Sequence, residues 1–360
     1  MTDVASQHSL SSHFAPTGFC PTESQESIRM KQTITAPRAT LDEISTQPVD
    51  RRWVHRAAVG EVFLTDFATT GANSFVACCQ LPRRHHYFSD HCADRLDPML
   101  LLECCRQAET CCAHLAFEVP IDHKFILNHW DLDVVAPSVG DGRCPRELRI
   151  TITAECIRDR GAARGYAYSM ALEVDDFLVG TVRMTATYLS PDSYAALRRM
   201  RRIGDPPTSD RLDFTPMRPP VGVGRRDPNN IMIHNLAPHR DGGMQATLSA
   251  AVNHPSIFDH SLDHVPGLGV TEAAKQLALA TTGGSSVNGL TAEFRRFLEL
   301  DEPATMIARR VSAEGLVEIE VVQCESSAAV FEVEVEHEPA TPFAKAFGAR
   351  TAADPERVRS

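Results

Sequence analysis

SDHCADRLDPMLLLECCRQ, residues 89–107, lies without a gap over FDHSLDHVPGLGVTEAAKQ, residues 258–276, when the chain is shifted by 169 positions. Asp90 meets Asp259, His91 meets His260, and Asp94 meets Asp263. Glu103 meets Glu272, Gln107 meets Gln276, and Arg106 meets Lys275; upstream, His85 meets His254. The window holds five identities and one conserved charge, where chance at average composition gives about one. Self-similarity at a fixed interval marks a duplicated structural unit. Both halves therefore read as copies of one ancestral domain.

Each copied segment reads as a buried helix. Residues 98–117 (PMLLLECCRQAETCCAHLAF) are apolar almost all round, which suits a helix covered on every side, and 267–281 repeat the pattern. Around the first helix stand strand-like runs at 75–82, 125–135, 146–158, 165–176 and 177–189, the last two joined as a hairpin at Asp175-Asp176. Around the second stand 229–236, 316–325 and 329–338. One buried helix with antiparallel strands, twice over, is an α+β pattern. It predicts a tandem hot-dog fold, each half a long helix wrapped by an antiparallel sheet. The boundaries expected are a first domain over 51–195 and a second over 229–345, with loose tails at 1–50 and 346–360. Between the domains, 196–228 holds six prolines and an arginine cluster at 198–202, and reads as an irregular linker. Its basic run fits either a solvated face or a dock for an acidic carrier protein.

Composition narrows the function. A net charge of −11 argues against a nucleic-acid surface, which needs a clustered basic face. No apolar run reaches the length of a membrane span, and no leader pattern opens the chain, so a cytoplasmic location is expected. Eleven cysteines include three adjacent pairs inside apolar stretches, Cys78-Cys79, Cys104-Cys105 and Cys111-Cys112. Neighbouring cysteines rarely bridge one another, and no C-x2-C pairs offer a zinc site. Buried free thiols, with no metal and no redox cofactor, are the expectation.

Two charged trios break the apolar helices. Glu103, Arg106 and Gln107 share one helix face, as do Glu272, Lys275 and Gln276. A buried carboxylate and cation must pair or serve a site, and two copies in one register leave both readings open. His91 and His260 precede each helix across a short loop. A loop entering a helix offers free backbone N–H groups to a developing oxyanion, and a histidine beside a helix carboxylate can move a proton. His264, where the first copy has Arg95, is a further candidate. No serine or cysteine stands in a nucleophile elbow, so direct transfer is favoured, although Cys104 and Cys105 sit beside Glu103.

At these residues the sequence resembles the A-factor biosynthesis family. VHRAAVGEVFLTDF (54–67), LPRRHHYFSDH (81–91), DPMLLLECCRQA (97–108) and DHVPGLGVTEAAKQ (263–276) carry the resemblance, which runs from about residue 53 to 340. It implies an acyltransferase that moves a β-ketoacyl group from acyl carrier protein onto the hydroxyl of dihydroxyacetone phosphate, toward a butyrolactone, butenolide or furan signal. It implies Glu103 and Glu272 as the acids and Lys275 as the cation after the second one. That position is usually arginine in the family, and lysine lacks arginine's paired donors for phosphate. The catalytic candidates are thus Glu103, Glu272, Lys275, His91 and His260. Substrate-binding candidates are Arg106, Arg83, Arg84, Gln107, Gln276 and His264. Acyl carrier protein and dihydroxyacetone phosphate are the expected partners, with a homodimer as a further expectation. Competing readings are a hot-dog dehydratase or thioesterase and a non-catalytic butyrolactone or acyl sensor. Against the sensor, no helix-turn-helix or basic DNA-reading segment is present.

Overall fold

Asp97 starts the first buried helix: its carboxylate accepts the Met99 N–H, and Pro98 occupies the first helical position, where a missing N–H costs nothing. The helix α1 then runs Pro98–Leu115, and all but Arg106 and Leu115 of its residues are buried. The computed structural model describes residues 47–336 except 92–94, 136–143, 160–161, 214–219 and 311–314. The expected tails, apart from 47–50, and Asp94 lie outside the described residues. All that is described belongs to one unit, Ala36–Ser360.

The first half supplies strands β1 (Leu64–Gly71), β2 (Ser74–Leu81), β3 (Lys124–Val134), β4 (Arg146–Asp159), β5 (Ala162–Val174) and β6 (Phe177–Leu189). After helix α2 (Pro191–Arg201) come β7 (Ile233–Pro238) and β8 (Met244–Leu248), helix α3 (Gly267–Thr282), then β9 (Ser286–Phe294), β10 (Ala304–Arg310), β11 (Leu316–Gln323) and β12 (Ser326–Glu336). Every pairing is antiparallel, in the order β1-β2-β4-β5-β6-β3-β9-β12-β11-β10-β8-β7. Read from either edge, the two six-strand sets follow the same topology, with α3 in the place of α1. The tandem hot-dog architecture is thus present, its halves fused where β3 pairs with β9. Leu132 faces Leu290 at this seam, and Trp130 faces Ala292, all four side chains buried.

Four strands escaped the sequence reading: β1, β8, β9 and β10. Each is short or mixes small and polar residues, so its period-2 signal is weak. The inter-repeat segment also differs from expectation. Its prolines begin only at 206, while Ser190 caps and Pro191 opens α2. Of the basic run, Arg199 and Arg201 are exposed, as a solvated face requires, whereas the other two arginines, Arg198 and Arg202, turn toward acids. These two pair with Glu299, and Arg202 also with Asp301, on the second half. The charge run is thus divided: two of its arginines face solvent and two are neutralised by acids of the neighbouring loop.

Because the seam joins two otherwise complete sheets, truncating it should weaken the whole unit. Leu132→Ala is expected to lower unfolding free energy by about 2–5 kcal/mol, read from chemical denaturation. An unchanged midpoint would mean that the halves do not depend on the seam.

Candidate active site

A carboxylate at full burial requires a cation, and each half provides one from just upstream of its first strand. Arg56 Nε lies 3.0 Å and its NH2 2.7 Å from Glu103 Oε1, both side chains buried. Arg225 grips Glu272 the same way, Nε to Oε1 at 2.8 Å and NH2 to Oε2 at 2.6 Å. These arginines are themselves 169 positions apart. Extending the repeat upstream through Val54/Val223 and Arg56/Arg225 was the signal that could have found them. Each clamp also crosses to the other half. Arg56 donates to the Ser256 carbonyl and pairs with Asp259, while Arg225 donates to the Tyr87 carbonyl and pairs with Asp97.

Gln107 and Gln276 complete the clamps. Gln107 Nε2 donates to Glu103 Oε1 and to the Glu61 carbonyl, and its oxygen accepts from the Phe63 and Leu64 N–H groups. Gln276 donates to Glu272 Oε1 and the Asn230 carbonyl and accepts from the Met232 N–H. For Gln107 every donor and lone pair is used, so its role is to hold the helix, not a ligand.

The two copies part company in what surrounds them. A cavity of about 1300 Å³ is lined by the first acid and not by the second. Arg56, Glu103 and Arg106 line it from the first half, and His260, His264 and the start of α3 line it from the second. Its walls include Leu127, Trp130, Met184, Leu262 and Phe294, which suits an acyl chain. The α3 end at this cavity carries no side-chain cap, since Pro266 precedes Gly267. Its first N–H groups have no intrahelical partner, and the helix dipole makes them a ready place for an anion. A side chain at Gly267 would meet Leu127 Cδ2 at 2.8 Å, so only glycine fits there without a shift.

The second acid is sealed. Asp97 stands where the other copy has Pro266, and its carboxylate caps α1 while pairing with Arg225 and Lys275. Lys275 also lies 3.0 Å from Glu272, whose Oε2 accepts from the Tyr87 hydroxyl. Lys275 is buried, and neither it nor Glu272 lines the cavity. The expectation of substrate phosphate at Lys275 gives way for this reason: two carboxylates already neutralise the ammonium. His91 shares that fate. Its Nε2 donates to the Arg95 carbonyl, and burial pushes its pKa down. Arg83 and Arg84 are exposed on the loop after β2 and stand apart from the cavity.

The loop before α3 carries two carboxylate–imidazole pairs in the run DHSLDH. His260 Nδ1 lies 2.6 Å from Asp259, and His264 Nδ1 lies 2.7 Å from Asp263. Asp259 additionally accepts the Ala57 N–H. Burial works to raise both aspartates. It is the largest single effect, but the hydrogen bonds and charges of the histidines, joined by Arg56 at Asp259 and by Tyr194 and Arg198 at Asp263, together outweigh it, and both sit at about 2. A carboxylate on Nδ1 leaves Nε2 as the working nitrogen. Glu103 is not equivalent. Burial raises it, but Arg106 and then Arg56 pull it down to about 2, and its Oε1 accepts bonds from Arg56, Arg106 and Gln107. Such a carboxylate is a poor proton acceptor near neutral pH; it anchors guanidinium groups.

Three other features bear on chemistry. Cys104 and Cys105 are fully buried, outside the cavity, and burial pushes the Cys105 thiol well up, so a thiolate route lacks its nucleophile. Glu61, His85 and His86 bring ligand-type atoms within 4.8 Å of one another. However, His85 Nδ1 accepts the Tyr87 and Phe88 N–H groups, so Nε2 carries the proton and faces Glu61. That tautomer is wrong for a metal ligand. Lastly, Glu109 lines the cavity and receives hydroxyls from Tyr188 and Thr110. Burial lifts it to about 7, against those hydrogen bonds.

Two predictions follow from these environments. Lys275→Ala leaves Glu272 and Asp97 short of a cation and should cost about 3–5 kcal/mol of stability, measured by denaturant titration, with acceptor affinity unchanged. A weakened acceptor affinity at wild-type stability would return the lysine to the substrate. Glu109 has a folded pKa above its unfolded one, so its stabilising contribution is present below the ordinary carboxylate range and fades as pH rises through about 7. Glu109→Gln should therefore flatten the stability profile between about pH 4.5 and 7. An unchanged slope would mean that Glu109 is ionised throughout.

The family model for the A-factor biosynthesis hotdog domain (AfsA) matches residues 38–190 and 208–336. The 2-oxo-3-(phosphooxy)propyl 3-oxoalkanoate synthase of Streptomyces virginiae is 32% identical over 281 residues, spanning 74% of this chain and 89% of that protein. The protein of the same name from Streptomyces coelicolor is 28% identical over 304 residues, 82% of this chain and 93% of its own length. Among solved structures, an acyl-ACP thioesterase from Bacteroides thetaiotaomicron covers 73% of this chain and 98% of its own, at 12% identity and a TM-score of 0.46.

Proposed function

The chain belongs to the A-factor biosynthesis hotdog family, and we propose that it is an acyltransferase of the kind its relatives' names describe, joining a 3-oxoacyl group to dihydroxyacetone phosphate. The acyl group arrives as a thioester on acyl carrier protein, and its chain occupies the apolar cavity. The observation that carries this reading is the uncapped start of α3 facing the same cavity as two aspartate-held histidines and the Arg106 guanidinium.

Each group has a task suited to its chemistry. The thioester carbonyl sits at the Gly267 and Leu268 N–H groups, where charge on oxygen is stabilised as the tetrahedral intermediate forms. His264, two residues before the helix cap, is the proton acceptor. Its Nε2 takes the hydroxyl proton of dihydroxyacetone phosphate as that oxygen attacks the carbonyl carbon. When the carbon–sulfur bond breaks, the proton passes to the departing thiolate. Asp263 stabilises the imidazolium between the two steps. The phosphate meets Arg106 and Lys124 on the first-half wall, with His260 beside them. Glu103 keeps Arg106 aligned. No cofactor enters this scheme, and the second copy, closed by Asp97, serves stability.

Mass spectrometry of the protein with 3-oxoacyl carrier protein and dihydroxyacetone phosphate tests the reading. The phosphorylated ester is expected, with holo-carrier released in equal amount. His264→Ala should lower kcat by about 100-fold or more. Free 3-oxo acid as the sole product, independent of the acceptor, would make the protein a thioesterase instead. Binding of the acyl group without turnover would make it a sensor.

A further inference from the structure

Helix α2 lies between the two halves in sequence, and in space it forms one wall of the cavity. Tyr194, Leu197 and Met200 line it from this helix. The helix is fastened to the second half by residues that touch the proton-transfer pair. The Tyr194 hydroxyl donates to both oxygens of Asp263, at 2.7 and 2.9 Å. Arg198, buried, lies with Nε 3.3 Å from Asp263 Oδ2 and donates through NH2 to the Asp263 carbonyl at 3.1 Å. Its remaining charge is met by Glu299, at 2.9 and 2.8 Å. One ring organises the group: Phe297 stacks under the Arg198 guanidinium and has its edge contacts with Tyr194 and His264, at centroid distances of 5.6 and 5.0 Å.

We infer that Tyr194 and Arg198 are positioning residues for His264, acting through Asp263, so that this wall of the cavity and the proton acceptor form one unit. Asp263 has two jobs that need its carboxylate fixed in the plane of the imidazole: to select the Nδ1–H tautomer and to balance the imidazolium. A lone exposed aspartate rotates freely. Here two donors outside the dyad hold it, the Tyr194 hydroxyl on the carboxylate and the Arg198 guanidinium on the backbone carbonyl, with the guanidinium charge close to Oδ2, and both residues belong to α2. The cavity wall beside the acyl chain therefore carries the bonds that keep Nε2 aimed inward, which couples the wall to alignment of the base. Asp259 differs, since its extra bonds come from Arg56 and the Ala57 N–H of the first half. The two dyads thus answer to different parts of the chain.

The inference rests on His264 as proton acceptor, and the test separates the two. Tyr194→Phe keeps the ring against Phe297 and removes only the hydroxyl. In the full chain with 3-oxoacyl carrier protein and dihydroxyacetone phosphate, it should lower kcat about tenfold with KM for the acceptor unchanged. Freed of that bond, Asp263 holds the imidazolium more strongly, so the acid limb of the kcat profile should move to higher pH. Placed on the His264→Ala background, Tyr194→Phe should cause no further loss. A wild-type rate and pH profile for Tyr194→Phe, or the same fractional loss on both backgrounds, overturns the inference. Full activity of His264→Ala would instead remove the proton acceptor on which it rests. A thermal melt matching wild type excludes damage to the fold as the cause.

Discussion

The arginine–glutamate clamp inside each half is the interaction on which the rest of this structure depends. A carboxylate placed midway along a fully buried helix is tolerable only when charge and hydrogen bonds surround it. Arg56 and Arg225 meet that requirement from segments distant in sequence, so each clamp pins the entry to its sheet against its helix. Each arginine also spends a donor on a backbone carbonyl of the opposite half. Helix, sheet entry and inter-domain contact are thereby tied at a single point in each copy, and the fused sheet runs uninterrupted across the seam.

Duplication then permits divergence. One position, proline before α3 and aspartate before α1, separates the fates of the copies. The aspartate closes its own helix start and draws Lys275 and Arg225 into a dry ionic cluster. The proline leaves the other helix start bare, facing a large cavity. A second position follows the same division: His264 faces the cavity, while its counterpart Arg95 is held by Glu336 and Ser286. Of two sites built on one plan, one became a rigid joint and the other kept room for a substrate. The site is composite in consequence, with the acid and guanidinium groups from one half and the helix start and histidines from the other.

Much of this was legible in the chain itself. The repeat, both buried helices, the hairpin of β5 and β6, and the acid–cation–glutamine trios follow from spacing and apolar pattern, because helix faces and strand alternation are local properties. The motif DHSLDH placed both histidines beside aspartates in plain view. What could not be read was which nitrogen each aspartate would hold, or that Gln107 and Gln276 would be bound to backbone groups some 44 to 46 residues away.

By itself, then, the sequence determined a duplicated α+β domain with a charged trio at the same place in each helix, since identity at a constant interval requires no knowledge of contacts. Only the tertiary structure decided that this cavity is lined by Glu103 and not by Glu272, that Glu103 is an anchor with little capacity as a base, and that a segment rich in arginine includes a helix beside the site. The reason is physical. The protonation behaviour of a buried group and its access to substrate are set by neighbours brought together by folding: Arg56 lies 47 residues from Glu103, Asp97 178 from Lys275, and Tyr194 and Arg198 69 and 65 from Asp263.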